Sequence, residues 1–288
     1  MFVISDLHWR CDTPSWRKET DYSAQVLRPQ LGWLLDQGEV VCVAGDVFHR
    51  SADFEAVFDL FTFLKQRHAL LYATRGQHDQ LYHNDSMVRT GFNLLAHGGV
   101  LTVLSKFPQY LNNGLMVSGQ GWGEDIPKRA ADALIAHVPV SYAGADYKGA
   151  ELAQVFRAKA AAFKYVFTGD NHRRFQTGND LYNAGCFHRM TLDLADQPPI
   201  AWHVTHDGVK MAEIPCTTPM VDECYAARQD KGKAKAAGLE FVRALSEARQ
   251  QGGGGAFLDA LRKAETEAEG GIKLLLGGVV KICEEVCK

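Results

Sequence analysis

Val40-Val41-Cys42-Val43-Ala44-Gly45-Asp46-Val47-Phe48-His49 is the stretch from which the fold can be read. Five small or β-branched apolar residues in a row describe a strand buried on both faces, closed by a glycine and then a carboxylate. An acid at the exit of such a strand points into the crevice at the carboxyl edge of an α/β sheet, where these folds build their sites. With two oxygens, Asp46 can bridge two cations.

On the N-terminal side, Met1 to Ile4 is a short apolar strand running into Ser5-Asp6-Leu7-His8. Asp-x-His at a strand exit aims a carboxylate and an imidazole at one point. Residues 20–37 carry Val26, Leu27, Leu31, Leu34 and Leu35 at helical spacing, with Gly38 as the cap. On the C-terminal side, a helix over 53–66 leads to a strand over 69–73, which ends in Thr74-Arg75-Gly76-Gln77-His78-Asp79. This alternation is that of a layered α/β fold. Further on, a strand over 132–138 delivers His137, a helix spans 150–162, and Tyr165 to Thr168 runs into Gly169-Asp170-Asn171-His172. Strand-like pieces at 174–177, 180–183, 188–194, 200–205 and 208–214 give the second half an antiparallel character. After Pro215 the pattern turns helical, near 220–231, 238–250 and 256–287, with Gly252 to Gly255 as a hinge.

The composition narrows the function classes. No apolar run reaches the ~18 residues of a membrane span, and the first residues lack the basic and hydrophobic regions of a signal peptide, which implies a cytoplasmic protein with no membrane partner. Seven scattered cysteines, an odd number without a C-x-x-C pair, fit reduced thiols. The formal net charge of −3 is not that of a protein holding nucleic acid by its overall field. Nucleic-acid chemistry would therefore rest on the site, with a partner to supply the grip.

Five polar strand exits collect Asp6, His8, Asp46, Gln77, His78, Asp79, His137, Asp170 and His172. Oxygen and imidazole donors without thiolate suit Mn²⁺, Fe²⁺ or Zn²⁺. Two such cations about 3.5–4 Å apart drive in-line displacement at phosphorus, with a neighbouring imidazole as acid. Arg75 and Arg173 flank the site and can meet phosphates, and His83 can line the groove. His68, His97, His188, His203 and His206 read as structural.

In order, Asp6-x-His8, Gly45-Asp46, Gly76-Gln77-His78-Asp79, His137 and Gly169-Asp170-Asn171-His172 resemble the motifs of the calcineurin-like metallophosphoesterases. Within that superfamily, Gly45-Asp46-Val47-Phe48-His49 and Tyr182-Asn183-Ala184-Gly185-Cys186 resemble the SbcD-like DNA double-strand-break repair nuclease subunits of compact, bacteriophage type. The resemblance covers residues 1–215. It implies a four-layer α-β-β-α sandwich of the α/β (α+β) class over 1–188, a small capping β-segment over 189–216, and a helical appendage over 217–288.

The resemblance further implies two divalent metal ions, Mn²⁺ first and Mg²⁺ second. Asp6, His8, Asp46 and His172 would hold one, and Asp46, Gln77, His137 and Asp170 the other. His78 would be the transition-state imidazole, kept in its tautomer by Asp79, and His49 would contact the phosphate. The activity implied is DNA exonuclease, with endonuclease activity open, in a complex with an SMC-like ATPase docked on the C-terminal helices. A homodimer through helices near 87–95 is also implied. Gln77 stands where the motif has Asn, and Asp170 where it has His; both keep an oxygen donor but make the second site harder and its occupancy open. A phosphodiesterase for small molecules or nucleotides, and a catalytically weakened DNA-binding or scaffold subunit, are the alternatives.

Overall fold

The computed structural model describes residues 1–81, 89–142 and 149–228. Met1–Val221 forms one compact unit, and a second begins at Asp222, of which 223–228 are helical. The rest of the expected C-terminal helices lies outside the described residues.

The first unit is built on two six-stranded sheets. In the first, β1 (Phe2–Ser5), β2 (Val41–Ala44), β3 (Leu71–Ala73) and β4 (Leu101–Val103) run parallel. In the second, β6 (Met116–Gln120), β7 (Ala131–His137), β10 (Phe163–Gly169) and β12 (Leu181–Asn183) run parallel, with β5 (Gln109–Tyr110) and β11 (Phe175–Thr177) antiparallel at its edges. A two-stranded parallel ladder, β8 (Val140–Ser141) with β9 (Glu151–Leu152), stands beside it. The second half is therefore mostly parallel, and its antiparallel pairs are confined to edges and one hairpin.

Alternation along the strands sorts the core into layers. Phe2, Ile4, Val41 and Val43 face outward onto α1 (Arg28–Asp36), α2 (Phe54–Gln66) and α3 (Gly91–His97), meeting Leu31, Leu34, Leu60, Leu64 and Leu95. Val3, Cys42 and Ala44 face inward onto Ala133, Ile135 and Phe167 of the second sheet. The other face of that sheet, through Leu134, Ala136 and Val166, is covered by Ala153 and Phe156 of α4 (Ala153–Lys159). This is the expected four-layer α-β-β-α sandwich. Both faces of β2 are covered, which is why its sequence is apolar without a break.

Four local expectations differ. The helix over 20–37 is a π-helical turn, Ser23–Leu27, followed by α1. The helix over 150–162 is shorter, because Glu151 and Leu152 pair with β8 before α4 starts. Residues 188–194 form no strand; they hold a 3-10 turn at Leu192–Leu194. Segment 189–216 does not cap the domain: β13 (Ile200–Thr205) pairs antiparallel with β1, and β14 (Gly208–Glu213) pairs with β13, so the hairpin completes the first sheet. Burial of Ala201, Trp202 and Val204 against both cores holds it there. Among the described residues no helix is long and apolar enough to cross a membrane.

Candidate metal centre

Five parallel strands end at one place. Asp6 and His8 leave β1, Asp46 leaves β2, Gln77 and His78 sit on a 3-10 turn after β3, His137 ends β7, and Asp170 and His172 follow β10. Register fixes the meeting: Ser5 pairs with Ala44, and Gly169 pairs with His137. Asp6, His8, Asp46 and Asp170 all take the left-handed backbone region, with φ of 51°, 42°, 48° and 76°. Residues other than glycine rarely do so, and such strain gathers at functional sites. Only His68 shares the feature among the described residues.

Close packing explains two motif glycines. A Cβ on Gly45, whose φ is 80°, would lie 2.2 Å from the His137 ring, and one on Gly76 would lie 2.0 Å from Asp46 Oδ1. Each must be glycine for its neighbour to reach the site.

Asp46 is central. Its Oδ1 accepts from the His78 amide at 2.9 Å. Its Oδ2 lies 3.7 Å from His8 Nε2, 3.5 Å from His137 Nε2 and 4.0 Å from His78 Nε2. His8 Nε2 and His172 Nε2 are 3.1 Å apart, and His172 Nε2 is 3.8 Å from Asp6 Oδ1. Asp6 accepts the Asp170 amide on both oxygens at 3.1 Å. His137 donates Nδ1–H to the Ala44 carbonyl at 2.7 Å, which turns Nε2 to Gln77 Oε1 at 2.6 Å. The Gln77 amide nitrogen donates to Asp170 Oδ1 at 2.5 Å.

The electrostatics are those of excess negative charge. Burial pushes the Asp6 carboxyl well above the usual range. Burial would raise Asp46 too, but the charge and hydrogen bond of His137, with the charges of His8 and His78, together outweigh it and hold Asp46 low. Burial opposes the charge on His137, yet the Asp46 and Asp6 carboxylates carry its pKa up to about 10. His8 and His172 are lowered by burial, and His49 falls to about 4 through burial and the Arg10 guanidinium. Asp46 Oδ2 and Asp170 Oδ2 are buried with no hydrogen-bond partner, a costly state that a cation would relieve. Asp6, His8 and His172 can converge on one ion, and Asp6, Asp46 and His137 on another. Gln77 and Asp170 adjoin the second set through their contacts with His137. The donors therefore fit divalent ions.

His49 stacks on His78 with ring centroids 5.8 Å apart, and His8 meets both rings edge-on. The expected part of Asp79 is corrected. Its carboxylate accepts the amides of Val47, Phe48 and Gly76 at 3.1, 3.0 and 2.9 Å, so it clamps the turn after β3 to the β2 exit. The His78 tautomer is set by the His49 carbonyl, which accepts Nδ1–H at 2.9 Å.

Of the expected substrate-binding residues, Arg75 is committed to Asn93 at 3.0 Å and to the face of Phe92. Arg173 is exposed and 3.5 Å from Asp193. His83 lies outside the described residues. The sequence offers no hint of the His49 carbonyl, since backbone groups leave no residue signal. Trp122, whose ring stands 6.3 Å from that of His137, follows a strand exit without metal-type residues, so nothing in the sequence marks it.

The family model for calcineurin-like phosphoesterases matches residues 1–174. No curated protein matches the chain. Among solved structures, TT1561 of Thermus thermophilus is 11% identical, with 74% of this chain and 98% of that one covered and a TM-score of 0.44. The calcineurin-like phosphoesterase YfkN from Bacillus subtilis is 10% identical, with 76% and 89% covered and a TM-score of 0.40. A 5'-nucleotidase precursor from Thermus thermophilus is 12% identical, with 86% and 59% covered and a TM-score of 0.42.

Proposed function

The chain belongs to the calcineurin-like phosphoesterase family, and from that premise we propose that this metal-dependent phosphoester hydrolase is a phosphodiesterase that cleaves DNA. It acts as an exonuclease, with endonuclease activity open, in a repair or recombination complex with an SMC-like ATPase. Asp6, His8, Asp46 and His172 hold the first ion, and Asp46, Gln77, His137 and Asp170 the second. Mn²⁺, or Mg²⁺ in its place, suits these oxygen and imidazole donors. Bound divalent ions supply Lewis acidity at the phosphate and a water of lowered pKa.

The chain's own residues do the rest. With Nδ1–H committed to the His49 carbonyl, His78 presents Nε2 to the site. From there it hydrogen-bonds a phosphate oxygen or protonates the leaving alkoxide when Nε2 carries a proton. The observation that carries the DNA reading is the His49–His78 pair. A second imidazole, stacked on the acid and beside His8, can hold the phosphate in register while the chain on either side continues. A small phosphodiester is the second reading, favoured by the net charge of −3.

The test is hydrolysis of linear double- and single-stranded DNA with Mn²⁺, beside bis-p-nitrophenyl phosphate and a His78→Ala control. DNA cleavage should fall about 10²–10⁴-fold in the variant with metal content unchanged. Turnover of the small diester alone selects the second reading. No turnover of either identifies a weakened subunit.

A further inference from the structure

β4 and β6 run parallel to β3 and β7, so the connections after Val103 and Gln120 leave at the sheet edge where the candidate ligands gather. The first connection exposes an aromatic residue: Phe107 is 57% accessible. Lys106 Nζ and Arg129 Cζ each stand 5.7 Å from its ring, within cation–π range. Lys128 lines the same cleft of about 730 Å³, which runs along residues 123–129. Two acids share the cleft, but Glu124 is spent on its own loop, accepting the Gly121 amide at 2.9 Å. Among the described residues, Lys106, Lys128 and Arg129 form no ion pair. The cleft thus offers three cations outside ion pairs around one aromatic face, against the two carboxylates of Glu124 and Asp125.

Its position relative to the metal centre follows from register. The Ser105 carbonyl accepts from Gly119 at 2.7 Å, which sets 105–107 one strand beyond β6. Gly119 pairs with Ile135, two residues before His137. Two strand spacings of about 4.8 Å and two residue steps of about 3.3 Å therefore put this segment on the order of 12 Å from His137. The connection that lines the cleft begins beside Trp122, which walls the site.

We propose that this cleft is a binding site for a single strand of nucleic acid, with a base stacked on Phe107 and phosphates on Lys106, Lys128 and Arg129. The assignment rests on the DNA phosphodiesterase reading and adds a contact a few nucleotides from the scissile bond. An aromatic face flanked by cations is the pairing that takes bases without sequence preference. A protein of net charge −3 needs such a local grip more than a basic one does.

The test is fluorescence anisotropy of a labelled oligodeoxythymidylate of about 20 nucleotides in chelator, beside Mn²⁺-dependent hydrolysis of bis-p-nitrophenyl phosphate. Phe107→Ala should weaken binding roughly 5- to 150-fold, and Phe107→Trp should restore it. A Lys106→Ala, Arg129→Ala double variant should flatten the slope of log K against log salt by about 1.4. Both variants should keep the wild-type melting temperature and small-diester turnover. If Phe107→Ala binds like the wild type while the wild type cleaves DNA, this site is wrong and the nuclease reading stands. A wild type that neither binds nor cleaves DNA, yet turns over the small diester, removes both. Equal retention of polyglutamate would make the cleft a general polyanion surface and overturn the nucleic-acid assignment.

Discussion

Asp79 shows what one side chain does when it is turned away from the chemistry. Three buried amides end on its carboxylate. Asp79→Ala would leave them unpaired, at about 3 kcal/mol or more in total. For a unit of this size that corresponds to a melting temperature lower by about 6–12 °C. Thermal melts of metal-free protein check this. An unchanged melt with a large fall in kcat would return Asp79 to the tautomer role. The convergence of these carboxylates and imidazoles was legible, because such residues at the ends of apolar strands have few other reasons to recur in order. The destination of a hydrogen bond was not. Whether Asp79 reaches His78 or the amides of the β2 exit depends on how two distant segments approach, and adjacency in sequence suggested the wrong neighbour.

Among the elements, the turns after the strands are more constrained than the strands. Gly76→Ala would place a methyl 2.0 Å from Asp46 Oδ1 and 2.3 Å from its amide nitrogen, neither of which can move without dragging the β2 exit. Bound metal should fall below half of the wild-type content by elemental analysis. Gly38→Ala is the comparison: its φ is 71° with nothing within 4 Å, so it should cost about 1 kcal/mol and no metal. Equal metal content in both would refute the clash. α2 was legible almost to the residue, because its apolar period is helical and Asp53 caps it by accepting the Ala56 amide at 3.2 Å. Residues 188–194 were not. Their apolar alternation mimics a strand, but His188, Met190 and Leu194 are fixed by other contacts: Tyr22 on His188 at 2.7 Å, Trp16 on the Met190 carbonyl at 2.8 Å, and burial of Leu194.

At the scale of the whole unit, four layers were legible because strand–helix alternation leaves few other packings. The place of the β13–β14 hairpin was not. Pairing Phe2 with His203 joins segments some two hundred residues apart, and no local pattern records that. The candidate ligands are divided between the sheets, with Asp6, His8, Asp46 and Gln77 from the first and His137, Asp170 and His172 from the second. Metal binding should therefore stabilise the entire unit. At a hundredfold excess over Kd the gain is about 2.7 kcal/mol, and the melting temperature should rise by about 5–11 °C with Mn²⁺ and fall back with chelator. A melt indifferent to both would count against the centre.

That division has a mechanical side. Apart from a few backbone contacts at their carboxyl edge, such as the Trp122 amide on the Arg75 carbonyl at 2.8 Å and the Ser5–Cys186 bridge, the two sheets meet through side chains, and each could slide on the other as a plate slides in a stack. Cations held from both sides act as rivets through the stack. A slip of one residue, about 3.3 Å, would shear them. Metal content is then a gauge of sheet alignment, and mild denaturant should release the ions before the secondary structure of either plate is lost.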